Sequence, residues 1–135
     1  MWQPFRDAVR LVLPQATIVV DKFHVVRMDN QALDTIRKSI REGLTTKQRR
    51  TLMHDRFVLL KRRSDLDARE TLILESWIGT FKDLELAYDL KETFYEMWDA
   101  ESKSMVLERL KQWQELIPEH LLTAFKDLLT ALKNW

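Results

Sequence analysis

Only two glycines, Gly43 and Gly79, and three prolines stand among 135 residues. Two-residue hairpins need positive φ, which glycine adopts at no steric cost, so a sheet rich in tight hairpins is excluded and long helices are the expectation. The apolar pattern agrees. Trp2, Phe5, Val9 and Val12 share a helical stripe that Pro14 ends. From Phe23 onward Val26, Leu33, Ile36, Ile40 and Leu44 recur at helical spacing until Gly43-Leu44-Thr45 interrupts them. Thr45 with Gln48 has the capping-box pattern and opens a helix through Met53, Phe57 and Leu60. Ser64 with Asp67 repeats the signal before Leu72, Ile73 and Trp77, and Gly79 is placed to close that helix in a left-handed conformation. Thr80 with Asp83 opens the next, carrying Leu86, Leu90, Phe94 and Trp98. Beyond Ser102, Val106, Leu110 and Trp113 share a face, and Pro118 starts a last helix with Leu121, Phe125, Leu128 and Leu132. The fold class is mainly α, with about seven helices.

One segment breaks the pattern. Residues 16–20, Ala-Thr-Ile-Val-Val, form a β-branched apolar run between Pro14-Gln15 and Asp21-Lys22. Continuous apolarity of this kind fits a short strand buried on both faces. One strand makes no sheet. It is the remnant of a larger sheet, an edge that pairs with a second copy, or no strand at all, and a dimer is expected from the second of these. The length fits a single domain over 1–135, divided into a helix-and-strand part at 1–22 and a helical region at 23–135.

The formal charge of +1 hides a segregation. Met1 to Arg63 holds 14 Lys+Arg against 6 Asp+Glu, whereas Ser64 to Trp135 holds 8 against 15. With 45% hydrophobic and 32% charged residues, the chain has the composition of a soluble globular protein. The absence of cysteine removes disulfides, thiolate zinc sites and a cysteine nucleophile. The start lacks the basic-then-apolar pattern of a signal peptide, and no apolar run approaches the roughly 18 residues of a spanning helix. A cytoplasmic protein without a membrane partner is expected.

Asp21 is the most informative single residue, a carboxylate directly after the apolar run and before a helix. Strand ends are rigid, open places to hold a ligand or metal, and an Asp there equally caps a following helix through its side-chain oxygen. Both readings stand. His24, three residues on, reads better as a polar or surface histidine than as a ligand, since hard divalent ions prefer oxygen. His54 and His120 read as isolated, solvent-facing residues. No Ser-His-Asp arrangement, glycine-rich phosphate loop or EF-hand loop is present. In the basic half, Arg37, Lys38, Arg41, Lys47, Arg49, Arg50, Arg56, Lys61, Arg62 and Arg63 occupy two successive helices. They can neutralise DNA phosphates without reading sequence, form a solvated face, or pair with the acidic half. The tryptophans at 77, 98, 113 and 135 read as core or interface residues.

The segment Ile18-Val19-Val20-Asp21-Lys22-Phe23-His24-Val25-Val26-Arg27 resembles the surroundings of the second catalytic aspartate in bacterial insertion-sequence transposases with a ribonuclease H-like DDE catalytic domain. Met1-Trp2-Gln3-Pro4-Phe5 resembles the segment that precedes this strand in the family, and Leu59-Leu60-Lys61-Arg62-Arg63 and Ala87-Tyr88-Asp89-Leu90-Lys91-Glu92 are similar to later family segments. The resemblance implies a truncated piece of the ribonuclease H-like core followed by a helical region, with Asp21 as catalytic residue and metal ligand. The family's phosphodiester cleavage and strand transfer use three carboxylates around two Mg²⁺ or Mn²⁺ ions. Only the second carboxylate is matched here, and the downstream Glu-Gly-x-Asn-Asn motif is missing from the sequence. The expectation is thus an internal fragment, non-catalytic by itself and binding no metal alone. Its DNA partner would be met through Arg37, Lys38, Arg41, Arg49, Arg50, Lys61, Arg62 and Arg63. The competing expectation is an all-helical module for self-association or protein interaction.

Overall fold

The structure, a computed structural model, describes residues 22–97 and 102–133. Its helices are α1 (Lys22–Ser39), α2 (Thr46–His54), α3 (Arg56–Leu60), α4 (Ala68–Thr80), α5 (Lys82–Met97), α6 (Lys103–Leu116) and α7 (Leu122–Lys133). Short 3₁₀ turns at Ile40–Gly43, Arg63–Asp65 and Glu119–Leu121 join some of them. Among the described residues every regular element is helical, and none is a strand. The expected helix over 2–13 and strand over 16–20 lie outside the described residues, as do Asp21, Trp98 and Trp135.

Helix α5 is the centre of the packing. It lies against α1, α4 and α6, while α1 also packs on α7. Leu84, Ala87, Tyr88, Leu90, Phe94 and Met97 bury its inner face. Trp113 of α6 is buried between Phe94 and Phe125, with ring centroids 5.0 and 5.8 Å away, the second contact edge-on. A buried indole N–H must find an acceptor, and Trp113 Nε1 donates to the Leu90 carbonyl at 2.8 Å.

Several helix ends follow the sequence. At Thr45 the box closes in both directions, Gln48 N donating to Thr45 Oγ1 (3.2 Å) and Thr45 N to Gln48 Oε1 (2.9 Å). Ser102 accepts from Met105 N at 3.3 Å, and Pro118 precedes the 3₁₀ turn leading into α7.

Others are corrected. The helix expected from Ser64 starts three residues later, because Asp67 and Glu70 form the capping box and Arg63–Asp65 take a 3₁₀ turn instead. Gly79 does not stop α4, and none of the described residues has positive φ. The helix runs to Thr80 and ends at extended Phe81, whose ring stacks on Trp77 with centroids 5.9 Å apart. Thr80 does not cap α5, since its hydroxyl donates back to Ser76 O at 2.8 Å. The single helix expected from Thr45 to Leu60 is two, broken at Asp55. There Trp77 Nε1 donates to Asp55 Oδ2 at 2.8 Å, so α4 holds the break from 22 residues away in the chain.

Candidate functional site

The basic half of the chain splits into two unlike surfaces. The first gathers where α1 ends, the Ile40–Gly43 turn follows and α2 begins. Lys38, Arg41, Arg49 and Arg50, with Glu42, Thr46 and Met53, line an open groove of about 400 Å³. The Thr45 capping box fixes the start of α2, and Arg49 Nε donates to the Arg41 carbonyl at 2.9 Å, tying α2 to the turn before it. Arg41, Arg49 and Arg50 are exposed. Lys38 Nζ lies 3.2 Å from Asp34 Oδ2 and is itself exposed.

Arg37 does not reach this surface. It shares the buried stripe of Val25, Ala32, Leu33 and Ile36, and its Nε donates to Asp34 Oδ1 at 2.7 Å. Partial burial would raise the Asp34 carboxyl, but Arg37 and Lys38 together hold it below its ordinary value.

Beyond the groove, α2 and α3 present two exposed apolar side chains, Met53 and Phe57. Arg56 Nη1 donates to the Met53 carbonyl at 2.6 Å, and its guanidinium carbon lies 4.2 Å from the centroid of the Phe57 ring. This is a cation–π contact on a half-open ring.

The second basic surface, Lys61-Arg62-Arg63, is occupied by carboxylates of the acidic half. Lys61 Nζ lies 2.7 Å from Glu70 Oε2, Arg62 Nε 3.9 Å from Glu92 Oε2, and Arg63 Nη2 3.8 Å from Asp89 Oδ1. The hydrogen bond to Glu70 is the main reason that the Lys61 ammonium is held above its ordinary value. The backbone is held as well. Arg63 N donates to Glu92 Oε1, Tyr88 Oη to Lys61 O at 3.2 Å, and Lys91 Nζ to both Leu59 O (3.0 Å) and Lys61 O. Lys91 thereby satisfies carbonyls at the C-terminal end of α3, where a cation is also favoured by the helix dipole.

Lys91 is fully buried, as is Asp29 of α1. Burial pulls the Lys91 ammonium down to about 8, against the upward pull of Glu92 and Asp29. Burial likewise raises the Asp29 carboxyl well above 3.8, with Lys91 opposing. Neither carboxylate oxygen of Asp29 has a hydrogen-bond partner among the described residues. The sequence reading missed these buried charges, although the signal was present. Asp29 falls at helical spacing between Val25 and Leu33, and Lys91 between Tyr88 and Phe94.

Asp21 lies outside the described residues, and among those residues no group of three His, Cys, Asp or Glu could hold a metal ion. His24 and His54 are exposed. His120 is exposed but not isolated, its Nε2 lying 2.7 Å from Asp83 Oδ1 across the 3₁₀ turn and α5. No described helix is long and apolar enough to cross a membrane.

Comparison with known proteins decides the family. A family profile described as transposase, of the ISL3 type, matches residues 1–135. The chain belongs to this transposase family. Among curated relatives, the transposase for insertion sequence element IS1001 of Bordetella parapertussis is 25% identical over 125 residues, covering 90% of the chain and 31% of that relative. This ISL3-type transposase chain thus spans about a third of the relative's length. No solved structure matches it.

Proposed function

We propose that the chain is the part of a DDE transposase that carries the second catalytic carboxylate, Asp21, joined to a helical region that holds DNA by its phosphates. The observation that carries the DNA reading is the convergence of Lys38, Arg41, Arg49 and Arg50 on one open groove with a single carboxylate, Glu42, in its lining. Cations so placed displace condensed counterions from DNA without reading bases. The Mg²⁺- or Mn²⁺-dependent cleavage and strand transfer belong to the full-length protein, in which Asp21 would be one of three ligand carboxylates. The part we assign to the helical region that follows Asp21 is to place DNA by its phosphates.

The test is the salt dependence of duplex binding, followed by fluorescence anisotropy. Replacing both Arg49→Ala and Arg50→Ala should lower the slope of log affinity against log salt by about 2, at roughly 0.9 per lost phosphate contact. An unchanged slope would remove the groove from the DNA surface.

A second reading, self-association through α6 and α7, is favoured by the exposed leucines Leu107, Leu116 and Leu122. Sedimentation of the chain should then show a defined dimer that Leu116→Glu dissociates. A monomer at every concentration would end this reading.

A further inference from the structure

We infer that Phe57, with Arg56 laid over it, is a stacking platform for an unpaired nucleotide of the DNA whose phosphates enter the Lys38–Arg50 groove. The inference rests on the DNA reading above and adds the kind of DNA recognised: strand with an exposed base, not duplex alone.

Three observations combine. Phe57 is 59% exposed and Met53 is 57% exposed, so each presents an apolar side chain to solvent, one on α2 and one on α3. Met53 also lines the cationic groove, and Arg56, bonded to the Met53 carbonyl and lying over the Phe57 ring, links that ring to the groove's edge. The guanidinium over the ring is fixed, because Arg56 Nη1 is held by the Met53 carbonyl at 2.6 Å. Among the described residues its other N–H groups have no hydrogen-bond partner, so they can meet a phosphate or a base edge while the ring and guanidinium planes offer π-surface.

The chemistry selects the occupant. An apolar protein face seated here would have to desolvate Arg56 and the neighbouring groove cations with no anion in return, which is costly. A polyanion brings the matching charge. Within a duplex the base faces are already stacked on one another and unavailable, so paired DNA can satisfy the groove but not the ring. An unpaired nucleotide satisfies both, since every base has a π-face and aromatic–base stacking tolerates any sequence.

The experiment compares two labelled probes on the full 135-residue chain by anisotropy: a fully paired duplex, and the same duplex extended by a short unpaired tail carrying 2-aminopurine. Phe57→Ala should weaken binding to the tailed probe about tenfold, within the range measured for single stacking residues, and leave the paired duplex within about twofold. Phe57→Trp should restore the tailed affinity, and 2-aminopurine fluorescence should be quenched by the wild type and not by Phe57→Ala. Because Phe57 is exposed, the variant keeps its fold, and its unchanged duplex binding reports that directly. Equal effects on both probes, or none on either, would overturn the stacking role while leaving the groove reading intact. A shift from dimer to monomer in Phe57→Ala without a change in tail preference would overturn it in favour of a second copy on this face. Failure of the wild type to bind either probe would overturn both readings together.

Discussion

The groove at Arg41, Arg49 and Arg50 and the run Lys61-Arg62-Arg63 come from the same basic half of the chain, yet they meet different partners. The groove faces solvent, its cations crowded together with one carboxylate in the lining. The run is bound by Glu70, Asp89 and Glu92 from the acidic half, and its backbone is gripped by Lys91 and Tyr88. Charge segregation along a chain therefore does not tell which cations are available to an outside partner. In this fold the second basic cluster lies in ion pairs with the acidic half, while Arg41, Arg49 and Arg50 of the first face solvent.

The strongest way to break this contrast is Lys91→Met. It takes the Lys91 donor from Leu59 O, leaves Lys61 O to Tyr88 alone and removes the cation that opposes the buried Asp29, a loss on the order of 3 kcal/mol for a buried charge network. Urea unfolding would measure it, and a variant as stable as the wild type would mean that the grip on the run carries no structural load. Next in size, Arg62→Ala with Arg63→Ala should leave the salt slope of DNA binding nearly unchanged, where the Arg49 and Arg50 pair lowers it by about 2. A drop of equal size would erase the distinction between the two surfaces. The smallest effect concerns pH. Asp29 is raised in the folded state, so the stability it contributes is full below its unfolded value of 3.8 and is lost as pH climbs through its folded value. Lys91 is lowered to about 8, so the unfolded chain binds more protons between there and 10.5, and stability rises across that window. Asp29→Asn should flatten the acid-side decline in melting temperature and keep the alkaline rise; retention of the full acid-side slope would assign it to another carboxyl.

How far the sequence disclosed this fold depends on the range of the interaction concerned. The Thr45–Gln48 box is written within four residues and appears where expected, whereas the last helix, expected from Pro118, begins at Leu122 after a 3₁₀ turn. The break at Asp55 is held by Trp77, and nothing between Met53 and Arg56 signals it. Gly79 looked like a helix stop, but the aromatic stack of Phe81 on Trp77 sets the end of α4 instead. The candidate site divides in the same way. Arg41, Arg49 and Arg50 are adjacent because a capped turn makes them so, whereas the partners of Lys61 to Arg63 lie mostly about thirty residues on, beyond any local pattern. The burial of Arg37 is legible in its place four residues after Leu33 on α1, but its positive charge puts it in the DNA-facing set. Asp21 was picked out by a family-like local motif, the kind of signal that survives without any long-range contact.

The central position of α5 has a consequence for how the molecule opens. Its amides are enclosed by α1, α4 and α6, and its side chains reach Lys61 through Tyr88 and Trp113 through Phe94. They should be the slowest to exchange hydrogen with solvent, released only when the whole chain unfolds. Helix α2 stands at the other extreme, with Leu52 its one buried side chain. Its amides should exchange well before those of α5, so the two helices mark the fast and slow ends of exchange in this molecule.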